Sequence, residues 1–221
     1  MNIAVFVSGS GTNLQAIIDH IASGTLPGVR IVKVIASRDG IYAIDRARQA
    51  GIPHKVISKK EFPDIHDYDN ALCSEMEAAG ADLVVLAGFL SLLGTGFIRS
   101  YAGRIINIHP SLIPSFSGDG MYGIMPHKAA LAAGVRITGA TVHFVDEPYD
   151  SGPIILQKAV AVHEDDTPET LQMRVMEEAE RIILPEAIRL IAEDRISIEN
   201  GRVKIDSAGG RNEQSNYQRI G

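Results

Sequence analysis

The chain has 221 residues, 45% apolar and 22% charged, with a formal net charge of −6. That length supports a sizeable core, no apolar run approaches the ~20 residues that span a bilayer, and an acidic chain is a poor partner for a nucleic-acid backbone. No basic stretch precedes an apolar segment at the N-terminus, and the one cysteine, Cys73, cannot close an intrachain disulfide and reads as a buried, inert thiol. The expectation is a cytoplasmic protein, monomeric or homodimeric, that works on small molecules rather than on nucleic acid or membrane.

The first half alternates strand and helix patterns. NIAVFVS (2–8) is a short apolar run, and residues 12–24 carry Leu14, Ile17, Ile18 and Ile21 at helical spacing. VRIVKVIAS (29–37) reads as a strand, YAIDRARQAG (42–51) as a helix, HKVIS (54–58) as a strand, DYDNALCSEMEAAG (67–80) as a helix and ADLVVLAGF (81–89) as a fully apolar strand. Strands apolar on both faces, spaced by amphipathic helices, predict an α/β fold: a doubly wound, mostly parallel sheet with helices on both faces.

The second half departs from that rhythm. A strand over 104–109 runs into a glycine- and proline-rich loop, 110–126, and a short helix over 127–134. GATVHFV (139–145) and PIILQKAVAV (153–162) are strands joined by an acidic loop. A long helix begins near TPET (167–170), with Pro185 expected to kink it, and Asn200-Gly201 marks a hairpin over 196–205. The polar end of the chain reads as a loose tail. Repeats, low-complexity segments and domain-marking linkers do not occur.

Three stretches carry candidate chemistry. SGSGTN (8–13) joins the first strand to the first helix, where a glycine-rich turn and free helix N–H groups can receive a phosphate. Its spacing is neither Gly-x-Gly-x-x-Gly nor a P-loop with its lysine, so one phosphate monoester fits better than a dinucleotide or a nucleoside triphosphate. The bland alternative is a tight turn with Thr12 as helix cap. In RIINIHP (104–110), Asn107 and His109 share one strand face, and Pro110 keeps His109 extended. An amide and an imidazolium at one point can stabilise the oxyanion of an attacked carbonyl. In DEPYDSGP (146–153), Asp146, Glu147 and Asp150 compete as the carboxylate that would keep His109 charged, and spacing does not choose among them. His143 reads as structural, His127 as a helix-capping or exposed residue, and Glu177, Glu178 and Glu180 as a wet helix face. No metal-ligand set is read.

SGSGTNLQAII, LAGFL, NIHPSLIPSF and GATVHFVDEPYDSGPIILQ, in this order from residue 2 to about residue 186, together resemble the phosphoribosylglycinamide formyltransferase family. The resemblance implies transfer of a formyl group from 10-formyltetrahydrofolate, a co-substrate, to the amine of glycinamide ribonucleotide, without a metal. It implies catalytic roles for Asn107, His109 and Asp150, which selects one of the three acids. Gly11, Thr12 and Asn13 match the phosphate-binding turn and Glu180 an acid that contacts the ribonucleotide. Leu90, Ser91, Leu92 and Leu93, with Asn107, match the folate-binding residues. The chain then reads as a single formyltransferase domain, 1–221: a phosphate-binding half (1–103), a catalytic and folate-binding half (104–205) and a loose tail (206–221). Ser91 and Ile65 stand where many relatives have arginine, and Asp119 where a lysine is common.

Two enzymes with the same Asn-His-Asp chemistry are alternatives. A formyltetrahydrofolate hydrolase would carry an extra N-terminal domain, and the methionyl-tRNA formyltransferase an extra C-terminal one. A first strand at residue 2, the chain's length and its acidity speak against both. A non-catalytic sugar-phosphate-binding module would leave Asn107 and His109 without a role.

Overall fold

Within the first strand, β1 (Asn2–Val7), Ile3, Ala4, Val5, Phe6 and Val7 are all fully buried. Alternate side chains leave a strand on opposite faces. Ile3, Val5 and Val7 enter one core with Leu14 and Ile17, whereas Ala4 and Phe6 enter a second with Leu72 and Phe97. A sheet that is apolar on both faces has to be covered on both, and this is why helices lie above and below it. The computed structural model describes residues 1–147 and 151–206.

The elements of the first half are β1, α1 (Thr12–Ala22), β2 (Arg30–Ala36), α2 (Tyr42–Gln49), β3 (His54–Val56), α3 (Ile65–Ala79), β4 (Leu83–Leu86) and α4 (Thr95–Ser100). β5 (Ile105–His109), α5 (Met125–Ala132), β6 (Ile137–Phe144) and β7 (Ile154–Ala161) follow. Among the described residues the main sheet has seven strands in the order β3-β2-β1-β4-β5-β6-β7. Pairs from β3 to β5 are parallel, and β6 and β7 are antiparallel. The winding reverses between β1 and β4, and at such a reversal a crevice opens at the carboxyl ends of the strands.

α3 starts two residues earlier than the periodicity indicates, because the Asp64 carboxylate accepts the N–H groups of His66 and Asp67 as its cap. α4 has no periodic signature, being only six residues long with Gly94 at its cap position. Its cap comes from α3: buried Asp69 accepts the N–H groups of Gly94 at 2.9 Å and Phe97 at 3.1 Å. The approach is so close that a Cβ on Gly94 would lie 2.2 Å from the Asp69 carboxylate, so only glycine fits.

The long helix runs as α6 (Pro168–Val175), one π-helical turn (Met176–Glu180) and α7 (Arg181–Ala192). Pro185 lies within α7, and the irregularity expected there appears upstream as the wide turn that ends on Glu180. A two-stranded hairpin, β8 (Ile196–Glu199) with β9 (Arg202–Ile205), turns at Asn200-Gly201 as the sequence indicates. Cys73 is half-buried rather than buried, and burial raises its thiol pKa, the direction of an inert thiol. The tail from residue 207 lies outside the described residues.

His127 corrects the sequence reading. It is fully buried on α5, and neither ring nitrogen has a hydrogen-bond partner among the described residues. Burial and then the charge of nearby His109 hold its pKa down to about 4, so it is neutral at physiological pH.

Two stability outcomes follow. Asp69→Ala strands two buried N–H groups and should cost about 2–4 kcal/mol in denaturant unfolding. His127 behaves differently with pH. The unfolded chain takes up its proton near pH 6.5 and the folded chain only near pH 4, so between these values the unfolded state binds more protons and stability falls as the pH falls. Comparing unfolding at pH 7 and pH 4, the native protein should lose about 3 kcal/mol more than His127→Leu does. Equal losses would mean that His127 is not held neutral.

Candidate active site

β5 ends the parallel part of the sheet and carries Asn107 and His109 two residues apart, on one face. Its neighbour β6 runs antiparallel, with Asn107 opposite His143 and His109 opposite Thr141. His143 Nδ1 lies 2.8 Å from the Phe144 carbonyl, which can only accept, so Nδ1 carries the proton. Nε2 is then an acceptor, and the Asn107 amide donates to it at 3.2 Å. The histidine read as structural in the sequence therefore fixes which way the Asn107 amide faces. Only the pairing of two strands 36 residues apart reveals this, and no local pattern announces it.

His109 is almost fully buried. Its Nε2–H donates to the Phe116 carbonyl at 2.9 Å, which locks the ring plane and means that this nitrogen serves the loop rather than an incoming oxyanion. The loop is itself built onto β6. Buried Thr141 donates to the Ser111 carbonyl at 2.7 Å and accepts from the Ile113 N–H at 3.1 Å. The Gln157 amide bridges Thr141 Oγ1 and the Ile113 carbonyl, and Ser111 donates to the Ser115 carbonyl at 2.6 Å. Residues 111–116 thus wrap the histidine through hydrogen bonds, while Phe116 packs against the first core.

The turn after β1 lies two strands away on the same sheet edge. Gly11 caps α1 in the left-handed region (φ 72°, ψ 31°), without a side-chain cap bond. Thr12 is the first helical residue and does not cap, so the tight turn expected over SGSGTN is present without its threonine cap. The N–H groups of Ser10, Gly11 and Thr12 have no acceptor among the described residues. The Asn13 amide donates to Glu180 Oε2 at 2.6 Å. Burial raises the Glu180 pKa and the Asn13 hydrogen bond opposes this. The π turn brings Glu180 to Asn13 at the turn after β1, so this glutamate does not lie on a wet face.

The segment after β4 is tied to the same turn. Ser8 Oγ accepts the Leu90 N–H at 2.8 Å and the Ser37 hydroxyl at 2.7 Å, and the Ser8 N–H donates to the Gly88 carbonyl. Leu90 and Leu92 are half exposed, Ser91 is partly buried, and Leu93 turns into the second core. Ile65 packs at the edge of that same core, and Asp119 is exposed in the long loop. Of the three acids, Asp146 accepts the Glu147 N–H and Glu147 faces Arg99 at 3.5 Å. Asp150 lies outside the described residues. No three His, Cys, Asp or Glu residues among the described ones gather as metal ligands.

The chain has known relatives. The phosphoribosylglycinamide formyltransferase of Haemophilus influenzae is 38% identical over 92% of this chain and 93% of its own length. The trifunctional purine biosynthetic protein adenosine-3 of Gallus gallus is 41% identical over 95% of this chain, which spans only 19% of that protein's length. The crystal structure of glycinamide ribonucleotide transformylase 1 from Symbiobacterium toebii superposes with a TM-score of 0.87, at 45% identity and 93% coverage of both chains. The formyl transferase family matches residues 1–188 without interruption, from β1 into α7, and the chain belongs to that family.

Proposed function

We propose that this chain transfers the formyl group of 10-formyltetrahydrofolate to the amine of 5-phosphoribosylglycinamide, giving formylglycinamide ribonucleotide and tetrahydrofolate in purine biosynthesis. The observation that carries the reading is the Asn107 amide, held by His143 at the end of β5. One Nδ2–H goes to His143. The second N–H is the donor that a developing oxyanion needs.

The reaction follows from that geometry. The neutral amine attacks the formyl carbon and an N–C bond forms. The carbonyl oxygen takes the negative charge, which Asn107 receives by hydrogen bond and a protonated His109 by its charge. The intermediate collapses, the bond to the folate nitrogen breaks, and the proton lost by the amine ends on that nitrogen. An amine with a pKa of about 7.7–8.0 is already partly neutral near pH 7.5, so no strong base is needed. Asp150 is assigned by its match to the family motif, as the carboxylate that keeps His109 charged and relays the proton through water. Gly11, Thr12 and Asn13 bind the phosphate and Glu180 the ribose. Leu90, Ser91, Leu92 and Leu93 take the folate.

His127, neutral beside His109, leaves the positive charge of the site on His109 alone of the two rings. No helix among the described residues is long and apolar enough to cross a membrane. We place the protein in the cytoplasm, as one formyltransferase domain over 1–221, monomeric or homodimeric, acting on small molecules and not on nucleic acid.

The first test mixes the protein with 10-formyltetrahydrofolate and follows tetrahydrofolate release. Release only in the presence of the ribonucleotide supports transfer, and release without it makes the protein a hydrolase. Asn107→Ala should lower kcat by about 10²–10³. His143→Leu should lower it by about tenfold, and the double variant should be no slower than Asn107→Ala alone, because His143 acts through the amide. Additive losses would sink that assignment. Asp150→Asn at near-normal rates would remove Asp150 from the mechanism.

A further inference from the structure

The phosphate turn contains no lysine or arginine between Ser8 and Asn13, in a chain that is acidic overall. A phosphate dianion there meets backbone N–H groups and the half-buried acid Glu180. The positive charge has to come from elsewhere, and one cation touches the turn. On α2, behind it, the Arg46 guanidinium donates through Nε to the Ser10 carbonyl at 2.8 Å. Its Nη1 donates to the Gln15 side chain at 2.9 Å, and it lies 4.7 Å from the centre of the Tyr42 ring. Both acceptors are neutral, and among the described residues no carboxylate forms an ion pair with Arg46. Its charge is therefore not cancelled where it meets the turn.

The same helix sets the direction of the turn. The Ala43 N–H donates to the Gly9 carbonyl at 3.2 Å, so α2 holds two successive carbonyls, Gly9 and Ser10. In a planar trans peptide the N–H points opposite to the C=O. Anchoring those two oxygens on α2 turns the N–H groups of Ser10 and Gly11 away from α2, and both are without an acceptor. A Cβ on Gly11 would lie 2.7 Å from the Ala43 Cβ and 3.3 Å from the Arg46 side chain, so α2 approaches this closely only because residue 11 is glycine.

We propose that Arg46 is a positioning residue for the substrate phosphate. It braces the 9–11 backbone from behind with its N–H groups outward, and it supplies the positive charge the turn lacks, so that the enzyme prefers the phosphorylated ribonucleotide over the same molecule without phosphate. This rests on the phosphate reading of the turn given above.

The test compares glycinamide ribonucleotide with its dephosphorylated riboside by calorimetry and steady-state kinetics, in the native protein and in Arg46→Met and Arg46→Lys. The native protein should bind the ribonucleotide far more tightly. In Arg46→Met the ratio of the two affinities should fall by about tenfold to thirtyfold, as for loss of a charged hydrogen-bonding group. Riboside affinity and the KM for the formyl donor should stay put, and the KM for the ribonucleotide should rise with kcat lowered at most about threefold. Arg46→Lys keeps the charge but not the fork, and should recover part of the ratio. An unchanged ratio in folded Arg46→Met would overturn the role of Arg46. So would a loss shared equally by ribonucleotide and riboside, which marks a merely structural brace. If Arg46→Met does not fold, an unchanged ratio in Arg46→Lys at raised salt overturns the charge argument and a steeper fall than in the native protein upholds it. A native protein that binds both ligands alike would instead reject the phosphate site itself.

Discussion

The antiparallel pairing of β5 with β6 is the constraint on which the site depends. It places His143 opposite Asn107 and Thr141 opposite His109. Side chains alternate along a strand, so a slip of one residue would turn Asn107, His109 and both partners away from one another at once. The register is held by burial. Ile106 and Ile108 face one core while Ile105 faces the other, and a slip would exchange apolar and polar groups along the whole of β5. The chemistry thus takes its alignment from the packing of three isoleucines that take no part in it.

Electrostatics then sort the polar groups that this register collects. Three histidines lie around the end of β5, and the structure treats each differently. His143 is tied through one ring nitrogen to the Phe144 carbonyl and through the other to the Asn107 amide. His127 is kept neutral by burial and then by the proximity of the His109 ring. His109 has its Nε2–H on a carbonyl, a bond that a charged ring makes as well as a neutral one. A neutral His127 beside His109 leaves the positive charge that the proposed oxyanion would need to His109 of these two rings.

Much of this was legible in the sequence. Apolar runs over 2–8, 29–37 and 81–89 gave the parallel sheet, because a strand buried on both faces has no other way to appear. Asn107 and His109 stood out because polar residues interrupt such a run. What stayed hidden depends on contacts across the fold. Asp69 caps a helix 25 residues downstream, so α4 left no local signal. His143 looks like any strand residue until its partner strand is known. Its role, the burial of His127 and the approach of Glu180 to Asn13 all arise from tertiary placement. The family resemblance reached Glu180, which periodicity had assigned to solvent.

Under the proposed function the two halves of the sheet would recognise in different ways, which would let one edge carry two tasks. On the parallel side, recognition comes from backbone: N–H groups of a glycine turn, oriented by carbonyls anchored on α2 and stitched to the next turn by Ser8. Such a site tolerates many side chains but not a Cβ at Gly11. On the antiparallel side it comes from side chains, Asn107, His109, His143 and Thr141, each fixed by a hydrogen bond to a neighbouring strand or loop. Such a site tolerates backbone adjustment but not a changed functional group. A phosphate is a constant shape that suits a backbone cradle, whereas a reacting carbonyl changes its charge during the reaction and needs groups whose dipoles are already aimed. The change from parallel to antiparallel pairing at β5 is the boundary between these two modes.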